Sequence, residues 1–212
     1  LDGILLVDTH GTQISRNNIT ANTGYPFELT CGGIVALHGS SNNTITLNNV
    51  ALDEQGILLI GGSNNTVGLN NIINSKMWGI ELLCSNCTIS SNNVTNNDSG
   101  VYVYGHCNIV SLNNMTSNWK YGIFIIGSNN VISLNNIVAN NYGVCMVNAL
   151  NNIFSHNNFV NNTQIYNYES SNIWDDGYPS GGNYWSDYHE IDSCRGVYPV
   201  SYTHLRAHET GR

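Results

Sequence analysis

The chain has 212 residues, of which only 9% are charged, and a formal net charge of −8. So few basic residues make no patch for a phosphate backbone, which argues against nucleic acid as a partner. No apolar run reaches the roughly 20 residues of a membrane-spanning helix. The sequence starts at Leu1 without Met, already inside a strand-like run, so it reads as a fragment, and the absence of a signal peptide carries no information.

Residues 1–165 read as a repeat. The pair Asn-Asn stands at Asn17-Asn18, Asn48-Asn49, Asn70-Asn71, Asn92-Asn93, Asn113-Asn114, Asn135-Asn136 and Asn157-Asn158. The last six pairs are 22, 22, 21, 22 and 22 residues apart. A constant period of this size marks stacked structural units. Each unit carries three short apolar segments between polar corners. The first follows a glycine, as in Gly56-Ile57-Leu58-Leu59-Ile60. The second alternates, as in Ile45-Thr46-Leu47. The third follows the Asn pair, at Val50, Ile72, Val94, Met115, Ile137 and Phe159. Period-two alternation, β-branched enrichment and Gly/Asn/Ser corners predict strands. Three such strands fill a 22-residue period and leave no room for a helix. The expected fold is all-β: a right-handed, single-stranded parallel β-helix of about seven rungs of about 22 residues. At roughly 4.8 Å per rung, the rod is about 30 Å long. Asn48, Asn70, Asn92, Asn113, Asn135 and Asn157 are expected to stack and bond amide to amide. Asn is also expected to supply the left-handed backbone that sharp corners need.

Two side-chain groups inside the repeat carry chemistry. After each glycine, positions one and three are aliphatic and are expected to point inward. Positions two and four then point out, which exposes Glu81, Tyr102, Tyr104 and Phe124, beside Trp78, Tyr121 and Tyr142 just before the glycines. Aromatics on a flat parallel sheet make a stacking surface for sugar rings, or a packing face for a neighbouring domain. The second group is sulfur. Cys84-Ser85-Asn86-Cys87 lies on one corner, and His106-Cys107 is expected at the same phase one rung later, about 5 Å away. Free thiols, a disulfide, or a zinc or copper site all remain open there. Cys31, Cys145 and Cys194 fall outside this pattern. Enzymes on such folds cluster carboxylates on one face. Here Asp53, Glu54, Glu81 and Asp98 fall at different phases, so the sequence reads as non-catalytic.

Residues 166–199 form a capping segment. It contains Trp174-Asp175-Asp176-Gly177-Tyr178-Pro179-Ser180-Gly181-Gly182-Asn183-Tyr184-Trp185-Ser186-Asp187-Tyr188, which reads as an irregular cover for the open rod end rather than a rung. Trp174, Tyr184 and Trp185 would supply its apolar surface, and Asp175-Asp176 a corner or capping role. Together with the Asn-Asn rungs, this motif resembles the NosD-like right-handed parallel β-helix proteins. That resemblance implies a pectin-lyase-like fold with a CASH module and an extracytoplasmic place, on the cell surface or in the periplasm. It implies a rigid scaffold that binds carbohydrate or a surface glycan. It also keeps two alternatives open: a copper-handling accessory protein, with Cys84, Cys87, His106 and Cys107 as candidate ligands, and a polysaccharide lyase or hydrolase whose active site lies outside this sequence. Residues 200–212 hold no Asn, and Ser201 to Thr210 closely resembles translated sequencing-library adaptor. That tail is set aside as non-native.

Overall fold

A computed structural model describes residues 2–24, 31–177 and 181–186. The 200–212 tail, Cys194, and parts of the motif from Tyr178 to Ser180 and beyond Ser186 lie outside the described residues. The strands form three parallel sheets, each of eight strands, and each sheet takes every third strand of the chain. The first sheet holds the post-glycine strands, among them Trp78–Ser85, Ser99–Tyr104, Tyr121–Ile126 and Tyr142–Val147. The second holds three-residue strands such as Thr88–Ser90, and the third the strands that begin on the second Asn of each pair, such as Asn93–Thr95. The all-β, no-helix reading and the roughly 22-residue turn therefore hold for the described residues.

Register is set by the repeat. Ile57 pairs with Ile80, Ile80 with Val101, Val101 with Ile123, and Ile123 with Val144, so each inward position becomes a column along the rod. These residues are fully buried, as are the second-sheet column Ile45, Val67, Ile89, Val110, Ile132 and Phe154 and the third-sheet column from Val50 to Met115 and Ile137. A one-residue slip would turn every such side chain to solvent, which fixes the pairing. The leading glycines are there for want of room: a Cβ on Gly100 would run into the Gly122 carbonyl oxygen, and one on Gly56 into that of Gly79.

Three lines of inward side chains bind the corners. In the expected line, Asn48 donates through Nδ2 to Asn70 Oδ1 at 3.0 Å, and the same bond joins Asn70 to Asn92, Asn92 to Asn113 and Asn113 to Asn135, with Asn135 to Asn157 at 2.9 Å. Each backbone N–H along the line donates to the same Oδ1, so one amide oxygen satisfies two donors. A second line runs through Asn43, Asn65, Cys87, Asn108, Asn130 and Asn152. A third joins Asn22 to Asp53 and, after a break at the Ser75 hydroxyl, which has no partner among the described residues, runs from Ser75 through Asn97, Asn118, Asn140 and Asn162. The second Asn of each pair forms an outer ladder of opposite direction, with Asn71 donating to Asn49 and Asn93 to Asn71, both at 2.7 Å.

Two expectations change. At the Asn pairs the left-handed backbone falls on the residue before the pair, where Leu47, Leu69, Ser91, Leu112, Leu134 and His156 have φ of 56–60°, while at the Ser-Asn corners Asn does supply it, at Asn42, Asn64, Asn86 and Asn129 with φ of 56–59°. The first Asn needs its side chain turned inward, so its neighbour makes the bend. The stretch from Gln164 through the terminal motif, expected to leave the rungs, makes an eighth turn, with the motif supplying its last strand. Gln164–Tyr168, Ser171–Ile173 and Tyr184–Trp185 pair in parallel with the turn before them, and Asn183 accepts from Asn157 at 2.9 Å to end the ladder. Trp174 stacks on Phe154 at 4.5 Å and Trp185 on Phe159 at 4.2 Å, so both indoles close core columns. Tyr184 remains 53% exposed and covers nothing of the core. Asp175 accepts from the Gly177 N–H, and Asp176 pairs with His156 at 3.2 Å, which ties the motif to the rod.

Candidate functional site

The outward side of the first sheet is aromatic over its C-terminal half. Position two after the glycine forms the column Leu58, Glu81, Tyr102, Phe124, Cys145 and Tyr166. Trp78, Tyr121 and Tyr142 stand beside it, with Tyr121 paired to Tyr142 across adjacent strands. The rings touch one another in an unbroken series. Centroids lie 5.0 Å apart for Trp78–Tyr102, 5.3 Å for Tyr102–Phe124 and Tyr121–Phe124, and 5.6 Å for Tyr121–Tyr142. Tyr104 joins at 6.5 Å from Tyr102 and is 54% exposed. All seven expected side chains, Trp78, Glu81, Tyr102, Tyr104, Tyr121, Phe124 and Tyr142, therefore sit on one face and reach its surface.

Ring stacking on a neighbour competes with ring stacking on a ligand. Trp78 and Tyr121 are nearly parallel, 13° apart, yet their centroids are 6.0 Å apart. At that separation the two rings are not in face-to-face contact, and both side chains stay partly exposed. The core pair Phe159–Trp185 is equally parallel at 4.2 Å and leaves no such gap. Toward the end of the face, Tyr121, Phe124, Tyr142, Cys145, Val147 and Tyr166 line a depression of about 270 Å³. Tyr166 meets Tyr142 edge-on at 6.4 Å and, with Tyr168, extends the face into the eighth turn. Sequence reasoning does not reach these two tyrosines, because Gln164-Ile165-Tyr166-Asn167-Tyr168 lacks the leading glycine. Its period-two alternation is the signal that could have found them.

Glu81 is the acid set among these rings, and one carboxyl oxygen, Oε2, is buried with no hydrogen-bond partner among the described residues. Burial pushes its pKa up to about 7, so the carboxyl is protonated over much of the acid-to-neutral range. Burial, then the nearby Glu81 charge, raises Tyr102, which stays a neutral donor. At the rim, Lys120 pairs with Asp98 at 3.2 Å, so its charge is already matched.

The sulfur corner is built differently from the expectation. Cys84 ends the inward column of its strand, and Cys87 occupies the slot that Asn43, Asn65, Asn108, Asn130 and Asn152 hold in other turns. Their Sγ atoms lie 3.0 Å apart, and both residues are buried. Cys107 does not stack on Cys87. It falls one position away, in the left-handed slot of Asn86, and is exposed, while Asn108 stacks on Cys87. His106 faces solvent, and its Nδ1 accepts from the Ser128 N–H at 3.1 Å. Hydrogen bonding from the Cys84 thiol, then from the Asn65 backbone and side-chain N–H groups and the Asn64 backbone, draws Cys87 below the usual thiol range, with burial opposing. The same contact and burial drive Cys84 upward. Among the described residues no three His, Cys, Asp or Glu side chains converge as metal ligands.

A family model described as periplasmic copper-binding protein (NosD) matches residues 2–130 and 35–190. The chain is also similar to crystal structures of point variants of the periplasmic alginate epimerase AlgG. One aligns with a TM-score of 0.64 at 18% identity over 81% of this chain and 48% of the other, and a second with 0.61 at 19% over 81% and 47%. The chain thus spans about half the length of those enzymes, and the likeness is one of fold. No curated protein matches the sequence.

Proposed function

From its membership of the NosD family, which the match over most of its length shows, we propose that this chain is an extracytoplasmic scaffold whose aromatic face binds neutral glycan chains without turning them over. The observation that carries this reading is the unbroken series of partly exposed rings from Trp78 through Tyr102, Phe124 and Tyr121 to Tyr142 across successive strands. Strand spacing of roughly 4.8 Å is close to the length of one sugar ring, so a glycan lying along the rod meets one aromatic per residue. The Tyr hydroxyls and the Glu81 carboxyl sit among the rings and offer hydrogen bonds to sugar hydroxyls. Net charge favours a neutral chain, since an acidic glycan would meet a protein of formal charge −8.

Hydrolysis needs two carboxylates at a set separation, and Glu81 has no acidic partner in its column. Among the described residues the sulfur corner gives copper little support. Two thiolates on one tetrahedral metal stand roughly 3.8 Å apart, whereas Cys84 and Cys87 are at 3.0 Å. The nearest further donors, His106 and Cys107, occupy other slots. The periplasmic places named for the family and for AlgG agree with the extracytoplasmic reading.

Calorimetric titration with a neutral oligosaccharide series tests the proposal. Affinity should be weak for a disaccharide and grow with length until the face is covered, because each further ring contact adds about 0.5–1.5 kcal/mol. Length-independent affinity, or release of shorter products during the titration, would remove it.

A further inference from the structure

The Cys84–Cys87 corner belongs to neither the aromatic face nor a metal cluster. In this turn a sulfur stands where the repeat elsewhere places an amide oxygen. That slot is built to accept: Asn43 donates its backbone N–H to Asn65 Oδ1 at 3.0 Å, and Asn108 does the same to Asn130 Oδ1 at 2.9 Å. At Cys87 a sulfur stands in that place, and its own backbone N–H continues the line to Asn108 Oδ1 at 2.9 Å. An acceptor slot with several N–H donors favours the thiolate over the thiol, as it favours any anion. The second thiol, Cys84, touches the first at 3.0 Å on the same four-residue corner. Cys87 also lies 3.4 Å from the Ser85 carbonyl oxygen, where its protonated form donates. The corner therefore holds an activated sulfur, a resolving thiol in contact with it, and a backbone tight enough to keep them together.

We propose that Cys84 and Cys87 form a redox pair that reacts with small hydroperoxides, with Cys87 as the attacking sulfur and Cys84 as the resolving one. The Cys87 thiolate attacks one peroxide oxygen, the O–O bond breaks, and hydroxide leaves with its electron pair. Cys87 is then a sulfenic acid. Cys84 sulfur attacks it, an S–S bond forms, the S–O bond breaks, and the Cys84 proton leaves with the hydroxyl as water. Over both steps two thiols and one peroxide become one disulfide and two waters. A small oxidant suits the site, since Cys84 is 6% and Cys87 1% exposed and a bulky disulfide has no way in. Closing the disulfide removes the anionic sulfur from the acceptor slot, so the fold favours the reduced pair.

The test is peptide-resolved mass spectrometry on the reduced chain treated with hydrogen peroxide at mildly acidic pH, then denatured and alkylated. The peptide containing both residues should become about 2 Da lighter and escape alkylation, while exposed Cys107 is still alkylated. The same peptide should react about tenfold more slowly in urea, where the donors are gone and each pKa unit is worth about tenfold in thiolate. Ordinary buried thiols behave the opposite way. Cys84→Ser should trap a dimedone-reactive sulfenic acid on Cys87. Cys87→Asn restores the residue of the other turns, should fold, and should leave Cys84 inert. Oxidation of Cys107 before the pair, or faster reaction of the pair in urea, would overturn the proposal without any variant.

Discussion

Asp53 is the one carboxylate in an inward ladder slot among the described residues, and replacing it by Asn should stabilise the fold. Its Oδ1 accepts from the Asn22 backbone at 2.7 Å and from Asn22 Nδ2 at 2.9 Å, as an amide oxygen would. Its Oδ2 is buried with no partner among the described residues, and the residue is 0% exposed. In later turns of the same line the second atom is an amide nitrogen that donates to a carbonyl of the preceding turn: Asn118 to Val94 at 3.1 Å, Asn140 to Met115 at 2.9 Å and Asn162 to Ile137 at 2.7 Å. Asp53→Asn puts that donor back. Removing an orphaned buried acceptor and adding one hydrogen bond is worth about 2 kcal/mol, or roughly 4–8 °C in a chain of this size. Burial raises the Asp53 pKa above 3.8. A carboxyl raised in the folded state contributes stability that is full below its unfolded pKa and is lost as pH rises through the folded value. The advantage of the Asp53→Asn variant should therefore be largest at neutral pH and fade toward pH 3. Thermal melts of both proteins across that range measure it. A less stable variant at pH 7, or a difference independent of pH, would refute the reasoning.

Other substitutions separate the structural devices. Asn113→Ala strands the Asn92 backbone and Nδ2 donors, now 2.9 and 3.0 Å from Asn113 Oδ1, and should cost about 3 kcal/mol in urea unfolding. Asn114→Ala, in the outer ladder, should cost less than about 1 kcal/mol by the same measurement. Gly100→Ala should yield little soluble protein, since its Cβ meets the Gly122 carbonyl, whereas the open-space Gly39 tolerates changes that keep a positive φ. Glu81, raised to about 7 by burial, should make the melting temperature fall from the ordinary carboxyl range up through pH 7. Glu81→Gln should flatten that part of the profile.

Most of the fold is legible because the repeat states the same instruction seven times. Any one strand, such as Ile45-Thr46-Leu47, is too short to predict alone, but its recurrence at fixed spacing fixes period, register and inward face together. What escapes lies where the repeat breaks. Tyr166 and Tyr168 are hidden because their turn has no counterpart to Gly143, with Gln164 paired to Tyr142 and Ile165 to Val144, and Trp185 reads as a cover because eight residues stand between Trp174 and Asn183. At the Asn pairs the bend comes out one position away from the expectation, while Asn42, Asn64, Asn86 and Asn129 make the bend themselves. An Asn pair signals a bend, but composition alone does not say whether the bend falls on the Asn or on Leu47 before it. The same single-residue offset separates Cys107 from Cys87. Outward aromatics are readable by alternation, yet the ring spacing that leaves them partly exposed is a matter of side-chain geometry.

The proposed function stands or falls on the outward rings. Tyr102 and Phe124, 5.3 Å apart at the centre of the face, project away from the core, so a Tyr102→Ala/Phe124→Ala variant should keep its fold. Calorimetric titration of both proteins with a neutral glycan hexamer is the direct measurement. Loss of two stacking contacts worth about 0.5–1.5 kcal/mol each should weaken binding by roughly 5- to 150-fold, with circular dichroism unchanged. Equal heats and equal affinity for the folded double variant would contradict the account and leave the rod a scaffold alone.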